Sequence, residues 1–320
     1  MLGHKVSRER IGTELDGMIK GPDPLTALDL LKSMGLFEAV FEVHPSATED
    51  VTSKFAAAGC TLGKTACSML LNWSDVFEGH DGLDLESSDV RRQTILAALL
   101  LPLRYTRVPL NGNKTQTMSA HIVRDSLKWK SKDADMVELL HTVAPDLVDA
   151  YGCIQKIESS SSAAARIKLG RCVKKLKHLW PSGVFLACLL SSKEAMPIGV
   201  ESAMEETVPW EENLLQGPLS ESLDTVTDLH AHKEMCKTLE STIKAFSIHT
   251  CWQWKPLLNG KDVMKTLQME KGGPSLGKAM DACFDYQLVH PEATKEEVTQ
   301  FLIQNSSDII QDAMTWEKFE

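Results

Sequence analysis

Residues 6–41 read VSRERIGTELDGMIKGPDPLTALDLLKSMGLFEAVF, the one stretch of the chain in which apolar spacing, capping residues and turn residues all agree. Ile11, Leu15, Met18 and Ile19 recur at helical spacing. Ser7 stands where an N-cap belongs, Val6 and Ile11 occupy staple positions around it, and Gly21-Pro22 ends the run. Asp23 caps a second helix, with Pro24 at its first position and Ala27, Leu28, Leu31 and Met34 as its apolar stripe. Gly35 supplies the left-handed stop. Arg10 and Glu14, four residues apart on one face, form a structural pair worth about 0.2–0.5 kcal/mol when exposed. Two short helices and a tight joint follow from these residues, and none of them is chemically reactive.

Helical periodicity continues through the chain, and no convincing sheet emerges. Thr61 caps a helix with Ala66, Met69, Leu70, Trp73 and Phe77 inward and Gly79 beyond its end; Ser88 caps the next, with Ile95, Leu96, Leu99 and Leu100 buried and Pro102 as the stop. Further helices are expected around 120–129, around 134–143 ending at Pro145, and around 147–157. The low-complexity ESSSSAAA at 158–165 reads as a link between helices. Residues 193–217, with Glu201, Glu205, Glu206, Glu211 and Glu212, read as an acidic connection that repels phosphate. Helical spacing resumes over 223–246, and Thr294 with Glu297 forms a capping box that starts the final helix. The fold class is therefore all-α.

A chain of 320 residues with 43% hydrophobic content buries a sizeable core in two or three packed helical units. The formal net charge of −10 rules out a uniformly basic coat, so contact with nucleic acid must come from local patches. The 8 cysteines form no C-x-x-C pair and lie among apolar positions, the pattern of reduced core thiols. No apolar run reaches the roughly 18–20 residues needed to cross a bilayer. The first residues lack the hydrophobic core of a signal peptide, so no targeting segment is expected and the cytoplasm or nucleus is the expected compartment.

Two places can meet a phosphate backbone. Residues 166–180, RIKLGRCVKKLKHLW, put Leu169, Cys172, Val173, Leu176 and Trp180 on one face of a helix closed by Pro181. Arg171, Lys174, Lys175 and His178 fall on the other face, where they would give sequence-independent affinity for RNA; an ordinary solvated face is the alternative. Further on, Asn259-Gly260 and Gly272-Gly273-Pro274 are turn signals that each lead into a helix, the second with Leu276, Met280, Phe284 and Leu288 as its stripe. Backbone N–H groups at the two helix starts, with Lys261, Lys271 and Lys278, could clamp phosphates, or the pair could simply pack. His178 has no nucleophile or orienting carboxylate near it in sequence. Of the acidic pairs, Asp133-Ala134-Asp135 opens a helical run and reads as a cap, and the Asp81 to Asp84 region also reads as structural rather than metal-binding. Asp89 reads as a first-turn acid.

The strings RERIGTEL and PLTALDLLKSMGLF, with LLNGKDVM at 257–264 and GGPSLGK at 272–278, resemble the eukaryotic, plant-like CCA-adding tRNA nucleotidyltransferases. The resemblance implies a helical neck end at 1–44, a helical body at 45–250 and a helical tail at 251–320. It also implies a tRNA partner held at its acceptor stem and T arm. That family adds nucleotides with Mg2+, CTP and ATP through a head carrying a Gly-Gly-x-Val-Arg-Asp motif, which occurs nowhere in this sequence. Ser88-Asp89-Val90-Arg91-Arg92 resembles part of the family's nucleobase-reading motif but lacks its Glu. The expectation is a tRNA-binding portion with no catalytic, cofactor or metal residues of its own, inactive alone, partnered by a separate catalytic head or by self-association. Apolar residues around Ile11 and Leu15 would then lie uncovered. The alternatives are an α-helical protein-interaction scaffold that has lost RNA binding and, third, an enzyme with an unrecognised site.

Overall fold

The computed structural model describes residues 6–72, 87–110, 113–156, 162–199, 225–311 and 313–319. They divide into two compact units, the first built from 1–148 and 178–240 and the second from 149–177 and 241–320. Trp73, Phe77, Gly79, the Asp81 to Asp84 region, Glu158 and the acidic residues from Glu201 to Glu212 fall outside the described residues. No helix among the described residues is long and apolar enough to cross a membrane.

The first unit opens as its local chemistry dictates. Helix α1 (Arg8–Lys20) starts at Ser7, whose side chain accepts from the Arg10 N–H, and α2 (Pro24–Ser33) starts at Asp23, which accepts from Thr26 N–H at 3.0 Å. Gly35 has φ +64°, the left-handed backbone that needs no Cβ there. The short α3 (Phe37–Val40) then leads to α4 (Glu49–Asn72). This last helix begins well before Thr61, which is no cap: its hydroxyl donates to the Ala57 carbonyl from mid-helix at 3.0 Å.

Helix α5 (Ser88–Leu100) forms the centre, with every residue from Thr94 to Leu100 fully buried. Its N-cap position is Ser87, one residue before the expected one, and a 3-10 turn at Leu101–Leu103 carries Pro102. Helices α4, α1 and α9 (Trp180–Leu189) pack against α5. Every residue of α9 is buried, as expected of a helix that is apolar all round. Thr94 Oγ1 and Ser182 Oγ share a 2.8 Å hydrogen bond between α5 and α9, which satisfies both hydroxyls where water cannot reach.

Two three-residue strands, β1 (Arg107–Pro109) and β2 (Thr115–Thr117), form a small antiparallel ladder that the sequence pattern does not announce. They lead into α6 (Met118–His121), a π-turn at Ile122–Ser126 and α7 (Ser131–Ile154). Pro145 does not end α7 but sits inside it. The missing N–H and ring clash cost about 3 kcal/mol, a loss outweighed by burial of Leu140, Val143, Ala144 and Leu147, each 0% exposed. The expected helices at 134–143 and 147–157 are thus one. Ile11 and Leu15 are buried by the chain itself, at 7% and 2% exposure, so the expected uncovered apolar surface at those two residues is absent.

The second unit packs α8 (Ser162–Leu176), α11 (Gly260–Thr266), α12 (Pro274–Val289), α13 (Lys295–Gln304) and α14 (Ser306–Gln311) around Ile167, Val263, Cys283, Phe301, Leu302 and Phe319. The intervening α10 (Thr225–Ala245) supplies residues to both units. The alanines of the supposed link at 158–165 open α8, and Ala163, Ala164 and Ala165 are buried. The expected capping box of Thr294 with Glu297 forms, and Asn259, expected as a turn residue, makes a second one with Asp262. Thr294 does not start the last helix, because α14 follows. All 8 cysteines are free thiols, and all but Cys153 are buried.

Two buried histidines tie stability to pH. His141 Nε2 lies 2.7 Å from the Ala97 carbonyl, His232 Nε2 lies 2.8 Å from Ser191 Oγ, and burial lowers each ring to about 4. As pH falls from about 6.5 the unfolded chain takes up these protons first, so their contribution is whole above about 6.5 and lost progressively towards about 4. The expected loss is about 3 kcal/mol per ring at most. Urea midpoints measured across that window should fall, and His141→Gln should flatten the fall; a level wild-type profile would refute the assignment.

Candidate nucleic-acid interface

In the second unit, Gly170 of α8 faces Leu288 of α12 so closely that any Cβ would collide with that side chain. This close approach brings Arg171 against Asp285. Arg171 Nε donates to Asp285 Oδ1 at 2.9 Å and Nη2 donates to Oδ2, a bidentate pair whose carboxylate side chain is 1% exposed while the arginine side is about half-exposed. Burial pushes the Asp285 carboxyl above its ordinary range, and the Arg171 guanidinium pulls it back. One turn on, Lys174 Nζ lies 3.7 Å from Asp281 Oδ1 and 3.9 Å from the centre of the Phe284 ring. Lys174 also borders a small cavity of about 90 Å³ walled by Trp252, Trp254 and Phe284.

Arg171, Lys174 and Lys175 therefore do share the exposed side of α8. His178 does not continue that face. Helix α8 stops at Leu176, Lys177 has φ +55°, and His178 lies in the 3-10 turn Lys177–Leu179, exposed, in the stretch assigned to the first unit. Pro181 opens α9 from its first turn rather than closing one long helix, a position where its missing N–H is harmless. Lys261 is exposed in the first turn of α11, Lys271 is exposed before Gly272, and Lys278 is half-buried near the start of α12. Of the apolar stripe foreseen for α12, Leu288 is fully buried, whereas Leu276, Met280 and Phe284 are half-buried. Arg10 and Glu14 are both exposed on α1, whose ion pairs run through Arg8 to Glu42 and through Asp16 and Lys20.

The acidic pair at 133 and 135 is divided between two cations. Asp133, 4% exposed, accepts from Arg92 Nη2 at 2.6 Å, while exposed Asp135 accepts from Arg124 Nη2 at 2.6 Å. Carboxylates committed to separate arginines do not fit a shared divalent cation, and no group of three or more metal-ligating side chains occurs among the described residues. Asp89 lies in the first turn of α5 as expected and pairs with Lys20 Nζ at 2.8 Å.

Sequence reasoning passed over Lys128, Lys130 and Lys132, three exposed lysines beside a cleft of about 470 Å³ in the first unit. Their alternation with Trp129 and Ser131 matches no helical face, and only the docking of that segment on α1 makes the cluster visible.

Comparison with known proteins follows the same lines. A family model described as the probable RNA- and SrmB-binding site of polymerase A matches residues 4–48, the segment that contains α1, α2 and α3. The chain is 23% identical to tRNA nucleotidyltransferase cca1 of Schizosaccharomyces pombe, over 98% of its own length and 55% of that protein. It is 24% identical to tRNA nucleotidyltransferase cca2 of the same organism, over 93% of its length and 52% of that protein. With the mitochondrial CCA tRNA nucleotidyltransferase of Saccharomyces cerevisiae it shares 23% identity over 93% of its length and 52% of that protein. The chain spans about half the length of the relatives it matches. No solved structure gives a match.

The pair at 171 and 285 yields a direct test. Arg171→Gln leaves a buried carboxylate without its cation and should cost about 3 kcal/mol, the low end for a broken buried pair because the arginine side is half-exposed. The cost should shrink as pH falls and Asp285 protonates. Urea unfolding of both proteins at neutral and acid pH measures it, and an unchanged midpoint at neutral pH would refute it.

Proposed function

We infer that this CCA-adding-enzyme-like chain binds tRNA, at the acceptor stem and T arm, and does not by itself extend the RNA. The carrying observation is the similarity to tRNA nucleotidyltransferases across 93–98% of the chain, joined by a matched segment described as RNA-binding. Binding rests on backbone charge and RNA shape, as suits a partner class whose members share one fold and differ in sequence. Lys174, Lys175, Lys261, Lys271 and Lys278 supply the cations of the second unit, and His178 an exposed ring in the first. Arg171 contributes by holding α8 on α12 through Asp285.

Inactivity in isolation has its own support. Phosphoryl transfer of the family's type needs carboxylates that gather divalent cations, and Asp133 and Asp135 are each engaged by an arginine. Nucleotide addition would require a catalytic head supplied to these 320 residues. A second reading, a protein-interaction scaffold without RNA affinity, draws on one observation: Met18, Leu30, Met34 and Leu71 are exposed apolar side chains of the first unit.

A salt titration of the purified chain with tRNA lacking its CCA end separates these readings, with CTP, ATP and magnesium then added to the same sample. The expected result is binding that weakens steeply as salt rises, with no extended product. Extension would overturn the inactivity, and absence of binding at low salt would leave the scaffold.

A further inference from the structure

The cleft of the first unit is built by α1, α5 and residues 127–133. Trp129 Nε1 donates to the Gly12 carbonyl at 3.0 Å, and a Cβ on Gly12 would run into the Leu127 carbonyl, so the segment is pinned directly on α1. Lys128 adopts φ +53°, a conformation uncommon for residues with a Cβ. It lies between fully buried Leu127 and half-buried Trp129 and is itself exposed, as are Lys130 and Lys132.

Charge is matched around Lys20 and Arg92 and not at the three lysines of the rim. Asp16, Asp89 and Asp133 are each answered by Lys20 or Arg92, at 2.6–3.3 Å. Lys128, Lys130 and Lys132 make no ion pair among the described residues. Glu9 and Asp89 border the same cleft, and each carboxylate feels a lysine of the rim, Glu9 that of Lys128 and Asp89 that of Lys132. A small anion entering the cleft would meet the carboxylates of Asp16, Asp89 and Asp133. A polyanion lying along the rim would meet the lysines instead.

We propose that the rim of this cleft is a phosphate-contact site for the RNA backbone, made by Lys128, Lys130 and Lys132 and weakened by the charge of Glu9. The proposal rests on the tRNA-binding reading and adds to it a site in the unit that holds the segment matched as RNA-binding, of which α1 is one wall. Each lysine that displaces a counterion from a phosphate adds about 0.7–0.9 to the slope of log affinity against log salt.

The test measures tRNA binding by anisotropy over a range of KCl concentrations. The triple variant K128Q/K130Q/K132Q should bind about 10- to 100-fold more weakly at low salt, with a slope shallower by about 2–3. The corresponding triple arginine variant should restore both. Glu9→Gln should tighten binding by about 2-fold or more, a gain that a purely structural role for the lysines would not produce. Lys54→Gln, a change at an exposed lysine of α4, should alter neither quantity. Far-UV circular dichroism confirms that each variant is folded. Wild-type affinity and slope in the triple glutamine variant would overturn the site while leaving tRNA binding intact, whereas failure of the wild-type chain to bind would overturn the underlying reading instead. Competition of millimolar CTP or inorganic phosphate with tRNA, abolished by the triple glutamine change, would show a small-anion site and also overturn the proposal.

Discussion

A guanidinium buried without counter-charge costs several kcal/mol, and Arg92, 6% exposed on the central helix of the first unit, imposes that constraint on everything around it. Its Nη2 donates to Asp133 of α7, its Nε faces Asp16 of α1 at 3.3 Å, and its plane lies 4.6 Å from the centre of the Trp129 ring. Trp129 in turn donates to the Gly12 carbonyl of α1. These contacts let α1, α5, α7 and the segment between the π-turn and α7 dock in one arrangement. The same contacts engage the carboxylates of Asp16 and Asp133, and they leave the lysines of the cleft rim facing solvent.

The second unit shows the same logic with a different partner. Asp285, nearly inaccessible, is held by Arg171, and the close passage at Gly170 makes the pairing possible. An arginine that reads from sequence as an RNA contact is therefore first a counter-ion to its own protein. Beside it, Lys174 rests on the Phe284 ring with the Asp281 carboxylate 3.7 Å away. For a chain with a net charge of −10, such local exceptions decide whether a polyanion can be held.

What the sequence disclosed was local chemistry. Ser7, Asp23, Pro24 and Gly35 determine the first two helices because each acts on backbone groups within a turn of itself, and the turn at Asn259 and the capping box at Thr294 are legible for the same reason. Long-range packing overrode local signals elsewhere. Thr61 sits inside α4 and Pro145 inside α7 because the burial of their neighbours outweighs a hydroxyl's preference for caps and a missing N–H. The break at Lys177, which takes His178 off the face of Arg171, depends on a left-handed residue that no glycine or asparagine marks. The lysine cluster at 128, 130 and 132 exists as a cluster only after Gly12 admits the Leu127 carbonyl against α1. Spacing alone gave no reason to single it out.

The central claim is that an acidic helical chain holds tRNA through a few exposed lysines. Acetylation of lysines by a small reagent, read by mass spectrometry with and without saturating tRNA, tests it residue by residue. The account predicts that tRNA protects Lys128, Lys130 and Lys132 together with Lys174, Lys175, Lys261 and Lys271, while Lys54 and Lys193 react as before. Equal reactivity at all of these positions with tRNA bound would contradict it.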